Sequence, residues 1–329
     1  MTAEAPEILL VTTAADAASD SVARSLDSSG ANYFRINTED FPLISRSAVW
    51  LGSQPPIISW LEGRRVDLSK LRSVWLRRHR LPVLDNMEPA HAEYCLRESE
   101  WFVRGILFAI HSSQGRPNWM SPPTALWQAE SKIRQLQAAA AAGLDCPPTL
   151  VSNDPIEIRE FWAANGPLIA KPLKLGYFDY GATQAATFTT AIDQEALADD
   201  SALVAAPVIF QPNIRKQFDL RVTIVGGDVF AATIDSQREP TARTDWRRTG
   251  TDLQHERHSL PDGLHQACLR LMQELGLQFG ALDFVLTPEG RYVFLEVNPN
   301  GQWLWIEERL GYSITDAISK WLQSYRKKG

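Results

Sequence analysis

Several features that mark particular classes of protein are scarce or absent in this sequence. Its 329 residues contain three cysteines, Cys95, Cys146 and Cys268, whose wide spacing forms no metal-binding pattern. The net charge of −6 gives no electrostatic reason to bind nucleic acid or an anionic membrane. The N-terminus has no basic region followed by an apolar run, and no apolar stretch is long enough to span a membrane. We therefore expect a protein of the reducing cytoplasm that binds neither nucleic acid nor membrane.

The composition is that of a globular protein with sizeable cores. Hydrophobic residues make up 44% of the chain and charged residues 22%, and a chain of this length has room for two or three lobes. The proline-containing stretch 121–124 indicates a boundary. We predict an N-terminal domain over residues 1–120, a central lobe over residues 121–206 and a C-terminal lobe over residues 207–329.

The N-terminal part alternates predicted strands with predicted helices. Strands are expected at residues 8–11, 32–36 and 73–76, with one helix ending near Gly30 and another over residues 98–111. This alternation is typical of an open α/β domain.

Helices and hairpins follow in the rest of the chain. Thr124 is suited to cap a helix that ends at Gly143. A strand is predicted over residues 167–172, at the centre of the middle lobe. Two strong hairpins are predicted over residues 220–234 and 279–297, each with glycine in its turn.

The second of these hairpins carries the most specific chemistry. Glu296 and Asn298 are two residues apart on a strand, so they project from one face; Phe294 is expected to share that face and Leu295 to pack on the other. Asp283 lies on the partner strand. Two carboxylates and an amide oxygen suit Mg²⁺, which keeps coordination positions for phosphate and water. A glutamate within an apolar run is a poor solvated residue, so we favour metal binding over a pair of solvated edge strands.

The turn of this hairpin decides whether the three groups meet. If residues 289–290 form a two-residue turn, Asp283 faces Glu296. If residues 288–289 form it, Asp283 faces Phe294, the neighbour of that glutamate on the same face. A three-residue loop without a bulge would place the carboxylates on opposite faces.

Three side chains are candidates for binding a nucleotide. Lys171 ends an apolar strand, where lysine is rarely buried without an anion, and the glycines at 176 and 181 would let backbone amides approach phosphate. Gln211 ends another apolar strand and can offer its amide to an adenine edge. Taken alone, Lys171 also fits a surface lysine, and a solvated helix face explains Lys132 nearly as well as a nucleotide contact does.

Two arginines are candidates for binding phosphate or carboxylate. Arg221 alternates with Leu220 and Val222, so it points away from their buried face. Arg247 lies in a polar loop. A guanidinium group binds either anion through two parallel hydrogen bonds, although a surface salt bridge explains each arginine on its own more simply.

Taken in order, these residues resemble the ATP-grasp superfamily from about residue 121 to the C-terminus. More closely, the chain resembles the peptide-cyclising ligases of microviridin and other graspetide (omega-ester peptide) pathways. His79 stands where that family often has proline. The stretches that carry the resemblance are residues 74–78 (VWLRR), 129–132 (AESK), 148–155 (PTLVSNDP), 219–223 (DLRVT), 244–247 (TDWR) and 294–303 (FLEVNPNGQW).

The resemblance implies an α/β protein with an ATP-grasp fold, an N-terminal pre-ATP-grasp domain, and ATP and Mg²⁺ as cofactors. It also assigns roles to nine residues. Lys132 and Lys171 would hold the ATP phosphates, and Gln211 and Ile214 would border adenine. Arg221 would contact the terminal phosphate or acyl phosphate, and Arg247 would hold the acceptor carboxylate or acyl phosphate. The Mg²⁺ ligands would be Asp283, Glu296 and Asn298.

Such a ligase activates Asp or Glu side chains of a ribosomal precursor peptide as acyl phosphates. A Ser or Thr hydroxyl or a Lys amine then attacks, which gives a macrocyclic ester or amide. We expect the leader of the peptide to bind near residues 213–219, a polar segment between two apolar strands. The candidate substrate residues are Arg215, Lys216, Phe218 and Asp219 in that segment, and Arg77 and Arg78 in the N-terminal part.

Two other functions are compatible with the sequence. One is an ATP-grasp ligase that acts on a small amino acid or a protein C-terminus, as in glutathione-synthesis-like or glutamate-adding enzymes. The other is a nucleotide-binding module without turnover, which the intact metal triad together with Lys171 and Arg221 argues against. The sequence does not identify the precursor peptide, the type of product (ester or amide), the ring pattern or the role of the N-terminal lobe. It also leaves the oligomeric state open, and a homodimer is compatible with it.

Overall fold

The structure is a computed structural model of the chain. It describes residues 5–49, 58–60, 67–113, 116–174, 177–179, 184–186, 188–248 and 252–324.

The N-terminal part forms an open sheet with helices, as predicted. Its elements are β1 (Ile8–Thr12), α1 (Ala17–Ser28), β2 (Tyr33–Asn37), β3 (Ser47–Val49), β4 (Ile58–Trp60), β5 (Ser73–Leu76), α2 (Pro89–His111) and β6 (Asn118–Met120). The N-terminal sheet has the order β2-β1-β5-β6, and all its neighbouring strands are parallel. Every residue of β1 is buried, as expected for a strand of a parallel sheet that is covered on both faces.

The middle part forms a smaller antiparallel sheet. Its elements are α3 (Pro123–Ala129), α4 (Lys132–Ala141), β7 (Leu150–Ser152), α5 (Pro155–Asn165), β8 (Leu168–Lys171), β9 (Tyr177–Asp179), β10 (Gln184–Ala186), β11 (Thr190–Ala191), α6 (Gln194–Ala198), α7 (Asp200–Val204) and β12 (Val208–Pro212). The middle sheet has the order β11-β8-β12-β7, while β9 and β10 pair separately. Asp154 caps α5 by accepting a hydrogen bond from the backbone N–H of Ile156 at 2.8 Å.

The C-terminal part forms a five-stranded antiparallel sheet with flanking helices. Its elements are β13 (Phe218–Val225), β14 (Asp228–Ile234), β15 (His255–His258), α8 (Asp262–Glu274), β16 (Phe279–Leu286), β17 (Tyr292–Asn298), α9 (Leu304–Leu310) and α10 (Ile314–Gln323). The C-terminal sheet has the order β15-β14-β13-β16-β17. Both predicted hairpins, β13–β14 and β16–β17, are present.

Apolar contacts join the N-terminal and C-terminal sheets. One core continues from β1 and β5 through α2 and α3 to β13 and β16. A second packs the opposite face of β1 against α10 and Trp303. The middle sheet has a small core of its own around Ile158, Leu168 and Phe210. Within the described residues, no helix combines the length and apolar character that crossing a membrane requires.

The predicted helix from Thr124 to Gly143 is wrong, because two helices occupy this stretch. The first ends at Ala129, and the hydroxyl of Ser131 caps the second by accepting a hydrogen bond from Arg134 N at 3.4 Å. Serine competes well for this role because its short side chain reaches the free N–H groups of a new helix. Lys132 consequently occupies the first turn of α4.

The hairpin β16–β17 combines a three-residue loop with a bulge. Thr287 N donates to the carbonyl of Arg291 at 2.9 Å, which closes a loop of residues 288–290. On the side of the loop towards the sheet, Phe284 faces Phe294. Asp283, the residue before Phe284, faces Glu296 and not Leu295. Leu295 is therefore the extra residue of the bulge. The loop alone would have separated the two carboxylates, and the bulge restores them to opposing positions.

The bulge also reverses two predicted orientations. Phe294 does not share the face of Glu296 but is fully buried in the core beneath the sheet, with Phe284 and Val297. Leu295, expected on the apolar side, instead lines a cleft together with Glu296. The prediction from strict strand alternation was wrong for these two residues, because the sequence gives no local sign of the additional residue.

We expect Phe294→Ala to lower the free energy of unfolding by about 3–5 kcal/mol, because it removes a fully buried ring. Leu295→Ala is the matched control and should cost about 1 kcal/mol or less, since its side chain faces the cleft. Urea denaturation of the two variants measures the difference. Equal losses would contradict the position of the bulge.

Candidate active site

A cleft that is partly open to solvent separates the middle sheet from the C-terminal sheet. Strands β8 and β12 form one wall, and β13, β16 and β17 form the other. The first turn of α4 and the loop 244–247 border it. The cleft therefore brings together elements that are distant in the sequence.

A partly buried carboxylate and a buried guanidinium meet at the C-terminal wall. Asp283 and Arg221 face each other in register on β16 and β13, and Nη1 of Arg221 donates to both carboxylate oxygens at 2.9 Å. Burial raises the pKa of Asp283; Arg221 opposes this effect, and the carboxylate of Glu296 adds to it. A cation bound between the two carboxylates would offset their repulsion.

Glu296 is surrounded by cations. Its Oε2 lies 3.0 Å from Nζ of Lys132, and its Oε1 lies 3.5 Å from Nη1 of Arg247. Burial acts to raise the pKa of Glu296, but the charges of Lys132, Arg247 and Lys171 lower it below its usual value. Glu296 is therefore ionised at neutral pH.

Lys171 and Lys132 concentrate positive charge at the floor of the cleft. Lys171 ends β8, and burial lowers the pKa of its ammonium group to about 8, with Glu296 acting in the opposite direction. Nζ of Lys132 donates to the carbonyl of Pro172 at 3.2 Å, which connects α4 to the end of β8. Two adjacent ammonium groups favour a bound polyanion. The glycines at 176 and 181 lie outside the described residues.

Arg247 is fixed by Asp245, a residue that the sequence analysis did not single out. Asp245 accepts hydrogen bonds from N and Nε of Arg247 at 3.1 and 2.9 Å through one oxygen, and from Nη2 at 3.0 Å through the other. Asp245 also accepts a hydrogen bond from Thr189 N at 3.4 Å. The guanidinium is thus held with Nη1 directed towards Glu296.

Part of the cleft lining is uncharged. Gln211 is buried, and its Nε2 donates to Oγ1 of Thr149 at 2.9 Å. Its Oε1 has no hydrogen-bond partner among the described residues. A buried acceptor of this kind matches the exocyclic amine of adenine. Ile214 and Ile169 provide apolar surface beside it.

Asn298 is exposed and lines a second cavity rather than the cleft that holds Asp283 and Glu296. The alternation of β17 places it on the face of Glu296, and its Oδ1 accepts a hydrogen bond from Asn300 N at 3.0 Å. The second cavity lies between the N-terminal domain and this hairpin, and much of its lining is basic. Its charged lining residues are Arg77, Arg78, Arg80, Glu100, Arg104, Glu130 and Lys174.

Arg77 and Arg78 differ in their surroundings. Arg77 is fully buried, donates to the carbonyl of Asn300, and lies 4.8 Å from the ring centroid of Trp303. Asp16 supplies an opposing charge at 3.5 Å. Arg77 therefore connects the N-terminal sheet to the chain after β17, whereas Arg78 is partly exposed and available to a ligand.

The segment 213–219, where we expect the leader to bind, is only partly exposed. Nζ of Lys216 donates to both carboxylate oxygens of Asp219 at 2.8 and 2.9 Å, and these side chains are only 8% and 6% exposed. Both residues line the cleft described above. Arg215 is exposed and Phe218 half-buried. Burial raises the pKa of Asp219, and Lys216 opposes that effect.

Gly301 has a role that its sequence position did not reveal. A Cβ atom there would lie 2.9 Å from Nη2 of Arg221 and would overlap the Cβ of Ala281. Only glycine therefore lets the chain after β17 pass close to the Arg221–Asp283 pair. Nη2 of Arg221 donates to the nearby carbonyl of Gln302 at 3.2 Å.

Gln135 was also missed. Its Oε1 accepts from Val297 N at 2.9 Å, and its Nε2 donates to the carbonyls of Val297 and Ala129 at 2.9 and 2.6 Å. Strand β17 ends the C-terminal sheet, so this amide supplies the partners that a further strand would have supplied. Gln135 thereby fixes the backbone between Glu296 and Asn298. The available signal was a buried glutamine on the alanine face of α4.

The donor set fits a hard divalent cation. Asp283 and Glu296 face each other, and Asn298 lies on the same face of the hairpin. Such oxygen ligands are the type that Mg²⁺ prefers. In the parts of the chain that are described, no three His, Cys, Asp or Glu side chains group as a metal site, so the amide or a ligand oxygen would have to complete the coordination.

Two family models match the chain. Residues 7–120 match the MvdD pre-ATP grasp domain, and residues 129–322 match the RimK-like ATP-grasp domain. A probable alpha-L-glutamate ligase of Enterobacter sp. (strain 638) is 25% identical over 214 residues, which are 64% of this chain and 69% of that protein.

Solved structures of similar proteins extend over almost the whole chain. A RiPP-associated ATP-grasp ligase of Chryseobacterium gregarium, in complex with ADP and a leader and core peptide, has a TM-score of 0.89 at 26% identity, with 97% of each chain covered. The macrocyclase MdnC of Microcystis aeruginosa MRC, bound with precursor peptide MdnA, has a TM-score of 0.84 at 30% identity, with 96% of this chain and 99% of that chain covered.

The family match extends through α4, the middle sheet and the hairpin β16–β17, and so includes every element that lines the cleft. The fold, the cleft and these matches agree: the chain belongs to the RimK-like ATP-grasp family, carries an MvdD pre-ATP grasp domain at its N-terminus, and is a ligase that uses ATP.

Proposed function

We propose that this ligase uses ATP and Mg²⁺ to activate Asp or Glu side chains of a ribosomal precursor peptide, and joins them to Ser or Thr hydroxyls, or to a Lys amine, in macrocyclic esters or amides. The observation that supports it most strongly is the opposing pair Asp283 and Glu296 within a ring of four cationic side chains. This arrangement suits the transfer of a phosphoryl group from a metal-bound nucleotide. The ring consists of Arg221, Lys132, Lys171 and Arg247.

The nucleotide would lie along the length of the cleft. Gln211 offers its free acceptor and Ile214 its apolar surface to adenine, while Lys171 and Lys132 lie where the phosphates would reach the metal ligands. Asp283, Glu296 and Asn298 would hold Mg²⁺, which neutralises phosphate charge during transfer. On binding, phosphate would replace Glu296 as the partner of the lysines.

The reaction would proceed in two balanced steps. A carboxylate oxygen of the peptide attacks the γ-phosphorus, which releases ADP and gives an acyl phosphate. The hydroxyl or amine then attacks the acyl carbon, inorganic phosphate leaves, and the nucleophile loses its proton. Arg221 and Arg247 would stabilise the charges of the phosphoryl group and the acyl phosphate. Asp245 holds the guanidinium of Arg247 in place.

A peptide substrate is supported by the second cavity and by the structural matches. Arg78, Arg80, Arg104 and Lys174 give this cavity a positive charge suited to acidic core residues, and Asn298 places it next to the metal ligands. The two solved relatives described above are complexes with precursor or leader and core peptides. For the leader we retain the exposed Arg215 and the half-buried Phe218 as contacts, with Lys216 and Asp219 assigned to the cleft instead.

The curated relatives support one alternative, the addition of glutamate to a peptide or protein. The chemistry of activation would be the same, but the nucleophile would be the amine of free glutamate. The match at residues 7–120 to the MvdD pre-ATP grasp domain favours the macrocyclase.

We also propose a cytoplasmic location and the division into domains at residues 1–120, 121–206 and 207–329.

Intact-mass spectrometry distinguishes the two functions. The purified protein is incubated with ATP, Mg²⁺ and a Thr-, Ser-, Asp- and Glu-rich precursor peptide encoded beside its gene. We expect the loss of one water per bond, and slower loss when the leader is deleted. A mass gain of one glutamate residue in the presence of free glutamate, without water loss, would identify the alternative function.

Substitution of the metal ligands should stop catalysis and preserve the fold. We expect Asp283→Asn and Glu296→Gln to reduce kcat by about a hundredfold or more, because each keeps the side-chain shape but removes a charge beside the reacting phosphate. Glu308→Gln, on the exposed face of α9, is the control. Wild-type turnover of either site variant at limiting Mg²⁺ would refute the metal assignment.

Gly301→Ala should impair ligation without direct contact with substrate. The added methyl group would displace Arg221 from Asp283, and a displacement of about 1 Å in such a site costs on the order of a hundredfold in rate. Gly263→Ala in α8 is the matched control, since its Cβ would meet nothing within 4 Å. The rate of ADP release is measured for both variants. Equal rates would show that Arg221 needs no such close approach.

A further inference from the structure

Arg77 is a buried cation at the end of β5 in the N-terminal sheet. The carboxylate of Asp16, which is equally buried, supplies the opposing charge at 3.5 Å from Nε. Burial lowers the pKa of Arg77 to about 9, and Asp16 opposes this effect, so the guanidinium is charged at neutral pH. A buried ion pair is often no more stabilising than packed apolar side chains, which suggests a role other than stability.

Hydrogen bonds within the N-terminal domain hold this ion pair in place. Oδ2 of Asp16 accepts from Oγ1 of Thr12 at 3.1 Å and from Oγ of Ser19 at 2.5 Å. The backbone N–H of Arg77 donates to the carbonyl of Val11 at 2.9 Å. Strand β1 and helix α1 therefore set the position of the guanidinium.

The terminal nitrogens of Arg77 hold the segment that follows β17. Nη1 donates to the carbonyl of Asn300, and Nη2 donates to Oε1 of Gln302 at 3.2 Å. The ring of Trp303 lies over the guanidinium, with its centroid 4.8 Å from the central carbon. Trp303 is itself fully buried, and its Nε1 donates to Oγ1 of Thr315 at 3.2 Å. Three successive contacts thus attach this segment to the N-terminal domain.

The same segment contacts two side chains of the site. Asn300 N donates to Oδ1 of Asn298 at 3.0 Å, and the carbonyl of Gln302 accepts from Nη2 of Arg221 at 3.2 Å. Asn300 and Gln302 therefore each bind Arg77 through one group and a site residue through another. An amide oxygen accepts at two lone pairs, so Oδ1 of Asn298 keeps one for a cation.

We propose that Arg77 is a positioning residue of the ligase site, which holds Asn300 so that the amide oxygen of Asn298 is oriented to bind the metal. The inference rests on the proposed function, because it takes Asn298 as a Mg²⁺ ligand. Arg77 acts through Asn300 rather than on a ligand, since its side chain is fully buried. The N-terminal domain would thus contribute to the metal site of the C-terminal hairpin.

Arg77→Lys isolates this role. Lysine keeps the positive charge that Asp16 needs, so the fold should persist. One ammonium group cannot replace a guanidinium that lies between the carboxylate, Asn300 and Gln302. The hold on Asn300 should therefore be lost.

Two further variants control for the fold. The double variant R77M/D16N removes both charges at once, so that neither remains unpaired in the interior. Arg35→Lys is the matched control in the same sheet, because Arg35 also pairs with an acid, Asp20, at 2.5 Å and donates to a backbone carbonyl, that of Thr13, at 2.7 Å.

Electron paramagnetic resonance of Mn²⁺, used in place of Mg²⁺, measures metal binding to the full chain with saturating ADP and without turnover. We expect Arg77→Lys and R77M/D16N to raise the Kd for Mn²⁺ by about tenfold, and Arg35→Lys to change it by less than about twofold, because only the first two alter a group that orients a metal ligand. Calorimetry in EDTA should show wild-type affinity for metal-free ADP. A thermally stable Arg77→Lys variant with wild-type Mn²⁺ affinity, or with an equal loss of metal-free ADP affinity, would overturn the proposal.

Asn298→Ala distinguishes this inference from the proposed function. If that variant binds Mn²⁺ as tightly as the wild type, Asn298 is not a ligand, and the metal assignment and the inference are both wrong. If it binds Mn²⁺ more weakly but Arg77→Lys does not, the inference alone is wrong. The double variant N298A/R77K should bind Mn²⁺ no more weakly than N298A, because the arginine acts through that amide. Additive losses would contradict this route.

Discussion

The position of one additional residue, Leu295, determines where the charges of the cleft meet. A three-residue loop would place Asp283 and Glu296 on opposite faces of their hairpin, and the bulge brings them back to the same face. The same shift turns Phe294 into the core, so the apolar packing beneath the sheet stabilises the register that the carboxylates need. Gln135 and Asp145 complete the backbone hydrogen bonds on the outer side of this strand.

Once the two carboxylates oppose each other, the surrounding cations follow from electrostatics. A buried carboxylate pair is unfavourable unless positive charge is close. Arg221 pairs with Asp283, while Lys132 and Arg247 pair with Glu296 from two other elements. These ion pairs connect α4 and the loop 244–247 to the C-terminal sheet. A metal-bound nucleotide would reorganise them, because it supplies both a cation for the carboxylates and anions for the lysines.

Much of this arrangement could be predicted from the sequence. Apolar periodicity located β1, β8 and both C-terminal hairpins. The polarity of Glu296 within an apolar run indicated a site residue, and its binding of a metal stays a prediction. The bulge could not be predicted, because strand alternation gives no sign of one additional residue. The role of Gly301 depends on how near Arg221 approaches, and that of Gln135 on which strand ends the sheet. The pairing of Lys216 with Asp219 was missed because a polar segment can bury charges when they neutralise each other.

The path of one oxygen atom tests the central claim of carboxylate activation most directly. The precursor peptide is prepared with ¹⁸O in its Asp and Glu carboxylates and is cyclised with unlabelled ATP in ordinary water. If an acyl phosphate forms, each new bond transfers one ¹⁸O atom from the peptide to inorganic phosphate, and mass spectrometry of the phosphate detects it. Cyclised peptide with unlabelled phosphate, or with the label in AMP, would contradict this account.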